Sequence, residues 1–462
     1  MASRTAGAVP PAFLDGRFTL PLLGLWVAFS CSRWFGVTGY AGLPDVTLER
    51  LFFGLLVGYA VTTFAMRKQA FGRLVPAEIG LLIFALASGV SGYLHGAFDG
   101  SEPEAINTLT DSRIFPAIAF MIVLRTRTTR QDLLRLSAVL TIFALYLGIT
   151  ALFEKASFNT GLMPPAIGDP SQGIHFGRAR GPYLNAAFNG TVMAQLLPMV
   201  LLSVQLGNRS WRVVALIAAG LLCLGVYLTD TRACLLGLVA VALVGSLVSG
   251  PSRKTYRALL GVLLLGGVIQ YVGGREVVPR LEQEDPVNVR LNMLLATGEI
   301  VIAHPIVGSG FRTFGKVNEE YFMAGRVFGG RAYQDKWFEA GSHNTLFTPI
   351  AELGLFVGGL YLFLLCRAVV NGLYPPISGT AEERSLNRQL LIASVLVGIP
   401  FLINGLAVEF QSSLTPNALF WAFAGFGERH AQIRKAAAAS TAPAGGVHLD
   451  AVRTGLPITP RR

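Results

Sequence analysis

Charged residues are scarce in this sequence of 462 residues: 14% are Asp, Glu, Lys or Arg, whereas 52% are hydrophobic. A water-soluble domain carries about 25% charged residues, so the composition argues against a soluble globular fold. The apolar residues fall in runs of about 17 to 25 positions, each long enough to cross about 30 Å of hydrocarbon as a helix. The sequence therefore predicts an all-α polytopic membrane protein with about twelve transmembrane helices.

Cysteine is also rare. Four cysteines stand singly within or beside apolar runs, so neither a disulfide framework nor a metal-binding pair is predicted: Cys31, Cys223, Cys234 and Cys366. No Asp-x-Asp or His-x-x-x-His spacing occurs, and we predict neither a metal nor another cofactor. The net charge is +11, but the basic residues are dispersed over short loops and the tail instead of alternating with aromatics. Nucleic-acid binding is therefore not predicted.

The hydropathy pattern places spans at 18–37, 48–66, 76–96, 112–124, 133–153, 187–206, 211–229, 232–250, 256–273, 344–370, 389–408 and 414–427. Lysine and arginine concentrate in alternate loops, at 67–73, 125–130, 209 and 253–257. The positive-inside rule makes those loops cytoplasmic, with both termini on the same side. We predict a cytoplasmic segment at 1–17, a transmembrane domain at 18–430 and a disordered cytoplasmic tail at 431–462.

Two outer loops are unusually long, at 154–186 and 275–343. Connections above about 15 residues are commonly functional, so we expect the active site there. The second loop has apolar residues at near-helical spacing that end before Pro305: Val287, Leu291, Leu294, Leu295 and Ile302. This spacing predicts a helix that either lies in the membrane interface or packs on the bundle.

Four arginines lie on the outer side, where membrane orientation does not require them: Arg178, Arg180, Arg232 and Arg290. Arginine presents a planar fork of donors that suits a pyrophosphate, and a lipid-linked pyrophosphate is the natural ligand at this position. The alternative is an arginine that snorkels or pairs with a carboxylate. For Arg232 the carboxylate partner would be Asp230, which lies two residues away.

His343 opens the segment "HNTLFTPIAELGLF" at the outer mouth of a predicted helix. A histidine there can accept a proton from an acceptor hydroxyl near neutral pH, although a loop-end histidine is more often structural. Glu352 lies nine residues further on, about 13 Å along the helix. An acid at that depth either pairs with an arginine or is protonated, and the sequence leaves its role open.

These residues stand in three segments that resemble the O-antigen ligase and polymerase superfamily of bacterial surface-glycan assembly. The first is "RARGPYLNAAFNG", and the second is "TDTRACLLG", similar to a Thr-x-x-Arg helix start. The third combines "PIVGSG", a P-x-x-G-x-G pattern, with "HNTLFTPIAELG", which resembles an H-N-x-x-L-x-x-x-x-E-x-G pattern except that Leu346 stands one position earlier. The resemblance covers about residues 173–365.

The resemblance implies a GT-C-like, metal-independent glycosyltransferase of the bacterial inner membrane. Its donor would be a glycan on undecaprenyl pyrophosphate, and its site would face the periplasm. By analogy Arg180, Arg232 and Arg290 would hold the pyrophosphate, Arg178 being the alternative to Arg180, and His343 would orient or deprotonate the acceptor hydroxyl. A ligase would transfer the glycan to lipid A core, and a polymerase to the growing glycan. A polysaccharide or lipid-glycan transporter is the alternative of another class.

Overall fold

The computed structural model describes residues 13–31, 36–37, 46–67, 72–98, 104–158, 164–248, 250, 252–272, 285–323, 344–411 and 413–441. Its helices are α1 Gly16–Phe29, α2 Leu48–Arg67, α3 Pro76–Leu94, α4 Glu104–Leu109, α5 Phe115–Leu124, α6 Arg130–Lys155, α7 Ala186–Leu206, α8 Arg209–Leu228, α9 Arg232–Val248, α10 Arg253–Val272, α11 Asp285–Ala303, α12 Phe314–Met323, α13 Thr348–Leu373, α14 Ala381–Gly405 and α15 Leu414–Thr441. A π-helical turn, Thr110–Ile114, joins α4 to α5.

Two 3-10 turns, Pro165–Gly168 and Gly181–Tyr183, and two short strand pairs complete the described secondary structure. Strand β1, Leu14–Asp15, runs parallel to β4, Thr126–Arg127. Strand β2, Gly36–Val37, pairs antiparallel with β3, Val46–Thr47. Each pair is only two residues long, so the helices form the framework of the fold.

Eight helical segments of the described chain are long and apolar enough to cross a membrane. One of them, Ala105–Leu124, combines α4, the π turn and α5, and α1 and α9 are shorter apolar helices. Each of the twelve predicted spans overlaps a helix. The all-α polytopic architecture is therefore confirmed, whereas the number twelve and the GT-C-like fold stay predictions.

Helix α7 forms the centre of the bundle. Of its most apolar stretch 89% is buried inside the protein, compared with 33% for α8, which packs beside it. Val192, Leu196 and Val200 have no exposed surface and belong to the main apolar core. We call the end where α6 ends and α7 begins the arginine end, and the end where α7 ends and α8 begins the basic-loop end.

The helix predicted in the second long loop is present as α11. Met293, Ala296 and Ile300 form its buried face, and Ile300 packs with Phe314 and Ala351. The other face exposes Leu291, Leu294, Leu295 and Ile302, four of the five residues that defined the predicted apolar spacing. The helix therefore packs on the protein through one face and keeps an apolar face exposed.

The prediction of a disordered tail from residue 431 is wrong for its first eleven residues. Helix α15 continues to Thr441, with Ala431 and Gln432 buried. Glu428 anchors this extension, because its carboxylate accepts hydrogen bonds from Arg367 at 2.9 and 2.7 Å and from Asn371 at 2.7 Å. Such long-range contacts are invisible in the local composition, and alanine favours a helix once one end is held. Residues 442–462 lie outside the described part of the chain.

Arg125, one of the charges used to orient the chain, is a buried ion-pair partner. It is 1% exposed and forms a two-pronged pair with Glu78, in which one of the two contacts is 3.1 Å. Glu78 also accepts the backbone N–H of Val75 at the start of α3. Arg125 therefore ties α3 to α5 and is not a free charge at the membrane surface.

Candidate functional site

The first two segments of the predicted signature meet at the arginine end. The backbone N–H of Ala179 donates to the carbonyl oxygen of Leu228, the last residue of α8, at 3.1 Å. The side chain of Asn189 in α7 donates to the carbonyl of Ala179, also at 3.1 Å. Asn185 caps α7 by accepting the N–H groups of its first turn. These bonds hold the Arg178–Arg180 element beside the turn that leads into Arg232.

Arg180 is fully buried, and its guanidinium is surrounded by protein acceptors. Its Nε donates to Glu154 at 3.3 Å, and its two Nη groups donate to the carbonyls of Gln172, Ile167 and Asp169 at 2.5, 2.7 and 3.2 Å. These four bonds occupy the N–H groups with which an arginine would bind a pyrophosphate. The structure therefore favours a different role for Arg180 from the predicted one, namely organising the loop at 164–185.

Glu154 fastens the same element from the end of α6. Its Oε1 accepts from Arg180, and its Oε2 accepts the backbone N–H of Gly181 at 2.8 Å. Gly181 has a left-handed φ of 54°, and a Cβ there would lie 2.7 Å from the side chain of Asn189. The glycine is therefore required by close packing, which explains the arginine-glycine pair in physical terms.

Arg180→Lys is expected to lower the stability of the loop at 164–185 by about 2 to 4 kcal/mol, because a lysine keeps the charge but loses two or more charge-assisted hydrogen bonds. The loop should become sensitive to limited proteolysis, and the melting temperature should fall. Arg178→Lys is the matched control, with the same substitution two residues away. If Arg180→Lys melted normally but no longer bound the donor, Arg180 would bind the pyrophosphate as the sequence predicts.

The other three predicted arginines have no acceptor among the residues that the structure describes, and we call them the free arginines. Arg178 is half-buried, and Arg232 and Arg290 are exposed. None of the three guanidinium groups donates a hydrogen bond or forms an ion pair with the residues that the structure describes, and Arg232 is not paired with Asp230. Although Arg290 is exposed, nearby protein atoms partly desolvate its guanidinium. This desolvation, and then the neighbouring positive charge of Arg232, lower the pKa of Arg290. Two like charges that lie close together create a site that an anion would stabilise.

The two halves of the third predicted segment form one unit. Gly354 breaks α13 with a φ of 78° and a ψ of 174°. The break frees the carbonyls of Ala351 and Glu352, which accept the N–H groups of Ser309 and Gly310 at 2.9 Å each. In return, the N–H of Leu355 donates to the carbonyl of Pro305 at 2.9 Å. The spacing of both patterns therefore reflects backbone pairing between a loop and a broken helix.

The carboxylate of Glu352 is buried behind this pairing. It accepts from Gln411 at 3.3 Å and from the backbone N–H of Arg312. Arg312 has a left-handed φ of 63°, a conformation that costs a non-glycine residue of order 1–3 kcal/mol and that is often associated with functional sites. Glu352 therefore holds the loop that carries Arg312 in place.

Arg113 is a further charged residue that the sequence reasoning missed. It lies in the π-helical turn, is 5% exposed and stacks on the rings of Phe84, Phe311 and Tyr361 at 4.7, 5.9 and 5.9 Å. Its Nη1 contacts Ser112, whereas its Nε and Nη2 have no partner in the described part of the chain. It lies close enough to Glu352 for an electrostatic interaction. An arginine at the second position of the predicted span at 112–124 is the sequence signal that could have identified it.

His343 lies outside the described residues, so its predicted role stays a prediction. The residues that follow it in the sequence are firmly held. Asn344 accepts the N–H groups of Leu346 and Phe347 at 3.0 Å each. Thr345 donates to the carbonyl of Val408 at 2.6 Å and accepts the N–H of Phe410 at 2.8 Å. Asn344 and Thr345 are therefore fixed to the loop after α14.

No protein-family model matches this chain, and no curated protein matches it in sequence. Any assignment of function therefore rests on the residues and their geometry. Within the described ranges, no group of three or more His, Cys, Asp and Glu side chains is placed to hold a metal ion. The chemical features of the arginine end are fixed positive charge, a deeply anchored loop and an exposed apolar helix face.

Proposed function

We propose that this chain is a membrane-embedded glycosyltransferase that takes a glycan from undecaprenyl pyrophosphate and transfers it to an acceptor hydroxyl, as an O-antigen ligase does. The single observation that carries the proposal is the set of free arginines at the arginine end: Arg178, Arg232 and Arg290. A backbone hydrogen bond holds the Arg178 element beside the turn that leads into Arg232, and Arg290 lies close enough to Arg232 for their charges to interact. No described residue occupies their donors, which can therefore bind an anion. Arg178 replaces Arg180 in this proposal, because the donors of Arg180 are occupied by the loop.

The chemistry of transfer explains why fixed positive charge is needed. The acceptor oxygen forms a bond to the anomeric carbon, the bond from that carbon to the pyrophosphate oxygen breaks, and negative charge collects on the leaving pyrophosphate. Arginines that are already oriented stabilise this charge at little cost of reorganisation. In this proposal the acceptor proton passes to the imidazole of His343, which by the resemblance would orient or deprotonate the acceptor hydroxyl.

The exposed apolar face of α11 supports a lipid-linked donor. Leu294 and Leu295 lie within two turns of Arg290 on the same helix, and each is at least 40% exposed. A polyprenyl chain is entirely apolar next to its charged pyrophosphate, so a suitable site has both surfaces side by side.

His343→Gln is expected to lower transfer by about 10²- to 10⁴-fold while donor binding stays close to wild type, because glutamine can orient the acceptor but cannot take its proton. The assay uses purified protein, a lipid-linked pyrophosphate glycan and lipid A core, with the product followed by mass spectrometry. Donor binding is measured separately with labelled lipid. Wild-type turnover would show that His343 is not the base, and loss of both donor binding and expression would show that it is a structural residue.

Ligase and polymerase share this site, and the polysaccharide of a deletion strain separates them. Accumulation of lipid-linked polymer would identify a ligase, whereas single repeat units on the lipid carrier would identify an O-antigen or exopolysaccharide polymerase. An unchanged glycan profile, together with no transfer by the purified protein, would refute the proposal. Repeat units trapped on the cytoplasmic side would instead support a transporter.

A further inference from the structure

A cavity of about 430 Å³ opens at the basic-loop end, away from the proposed transfer site. It lies where α7 ends and where α6, α8 and α14 begin. Its polar lining consists of Arg130, Gln205, Arg212, Glu382, Ser385 and Gln389. A smaller cavity of about 70 Å³ shares Gln205, Ser385 and Gln389 with it and adds Arg388. Three arginines against one glutamate give the combined cavity a positive charge.

Both arginines of the larger cavity are oriented by the end of α7. Arg130 donates one N–H to the carbonyl of Leu206 at 2.9 Å, and Arg212 donates its Nε to the carbonyl of Val204 at 3.0 Å. Within the described ranges neither arginine forms an ion pair with a carboxylate. Each guanidinium is therefore anchored through one edge, and its other donors remain available for an anion.

A buried acceptor lies between the two cavities. The side-chain nitrogen of Gln205 donates to Ser252 and to the carbonyl of Leu201, whereas its Oε1 is buried without a partner among the described residues. A buried carbonyl oxygen without a donor costs about 1 to 3 kcal/mol. A ligand that carries both a phosphate and a hydroxyl group would satisfy the arginines and this oxygen together.

An exposed apolar surface that suits acyl chains follows Arg212 along α8. Val213, Leu216 and Ile217 follow Arg212 on α8 and are 53%, 48% and 55% exposed. The cavity lining also includes Val204, Leu206 and Leu386. A free phosphate or a soluble metabolite would have no use for this surface, whereas a phospholipid requires it.

We propose that this cavity binds the headgroup of an anionic glycerophospholipid of the phosphatidylglycerol class. Its phosphate diester lies between Arg130 and Arg212, and a headgroup glycerol hydroxyl donates to Oε1 of Gln205. The acyl chains follow the exposed face of α8. Basic pockets between helices at the cytoplasmic side of membrane proteins bind anionic lipids by the same physics. The site is separate from the arginine end, and its test does not depend on glycan transfer.

The test is native mass spectrometry of the delipidated full-length protein, with dioleoyl phosphatidylglycerol added in detergent micelles. One lipid should be retained by the wild type. The double variant Arg130→Gln, Arg212→Gln should bind it about 25-fold more weakly, because each basic group near an anionic lipid contributes about fivefold. Its melting temperature without lipid should match the wild type. Arg253→Gln is the matched control, because Arg253 lies at the same end, is exposed and also donates to a carbonyl, that of Leu247 at 3.0 Å.

Each other outcome overturns the assignment. Equal retention of the lipid by the double variant would show that the lipid does not bind in this cavity. An equal loss in Arg253→Gln would show a general attraction to basic loops. Equal binding of dioleoyl phosphatidylethanolamine would refute the anionic headgroup. Equal binding of glycerol 1-phosphate, or of inorganic phosphate, would identify a soluble ligand instead of a lipid.

Discussion

Gly354→Ala is expected to abolish accumulation of the folded protein. The alanine Cβ would lie 2.0 Å from the carbonyl oxygen of Ile306, and the backbone at this position has a conformation that is essentially restricted to glycine. Relief of the overlap would separate the loop at 305–310 from α13, with a loss of more than about 4 kcal/mol. The measurement is size-exclusion chromatography of a fluorescent fusion, followed by thermal melting of any folded fraction.

Gly359→Ala is the matched control, because the same substitution in the same helix meets no atom within 4 Å. It should express and melt like the wild type, or slightly higher, since alanine favours a helix. Gly308→Ala should resemble Gly354→Ala, because its Cβ would lie 2.3 Å from the backbone carbon of Glu352. Wild-type expression of Gly354→Ala would mean that the broken helix and the loop are not interlocked.

The second large effect is expected at the free arginines. Arg232→Gln should reduce transfer by about 10²- to 10³-fold with an unchanged melting temperature, because removal of one donor aimed at developing negative charge typically has this effect. Arg178→Gln and Arg290→Gln should show the same combination. Arg232→Lys should recover only part of the activity, since an ammonium group cannot form the planar two-pronged contact.

The measurement pairs a transfer assay with thermal melting of each variant in the same detergent. Arg257→Gln serves as the control, because Arg257 is exposed near the start of α10 at the basic-loop end. It should retain full activity. Full activity of Arg232→Gln would refute a pyrophosphate role for that residue. A parallel loss of stability in all three variants would instead make them structural, as we expect for Arg180.

Much of the fold could be predicted because the bilayer sets the length of an apolar run. Helices occur at every predicted span, and the helix of the second long loop ends at Ala303, just before Pro305. These features depend on local hydropathy and on helix-breaking residues, which a sequence displays directly. The extension of α15 was not predictable in this way, because distant contacts to Glu428 hold it.

The candidate site was likewise predictable only where it depends on local properties of the sequence. The sequence by itself determined which segments carry outer arginines and which glycines recur at fixed spacing, since charge and residue type are local properties. It could not distinguish Arg178 from Arg180, because they lie only two positions apart and only the fold brings Glu154 and three loop carbonyls to one of them. Nor could it identify Arg113, whose neighbours Phe84, Phe311 and Tyr361 come from three other parts of the chain.

The tertiary structure alone decided that the loop at 305–310 and the break at Gly354 form one unit. Their hydrogen bonds join residues more than 40 positions apart, so neither sequence pattern by itself explains why its glycines are needed. The same holds for Glu352, whose partners Arg312 and Gln411 lie on either side of it in the chain. Sequence determines what a residue can donate or accept, whereas the packing of distant segments determines which of those groups remain free to bind a ligand.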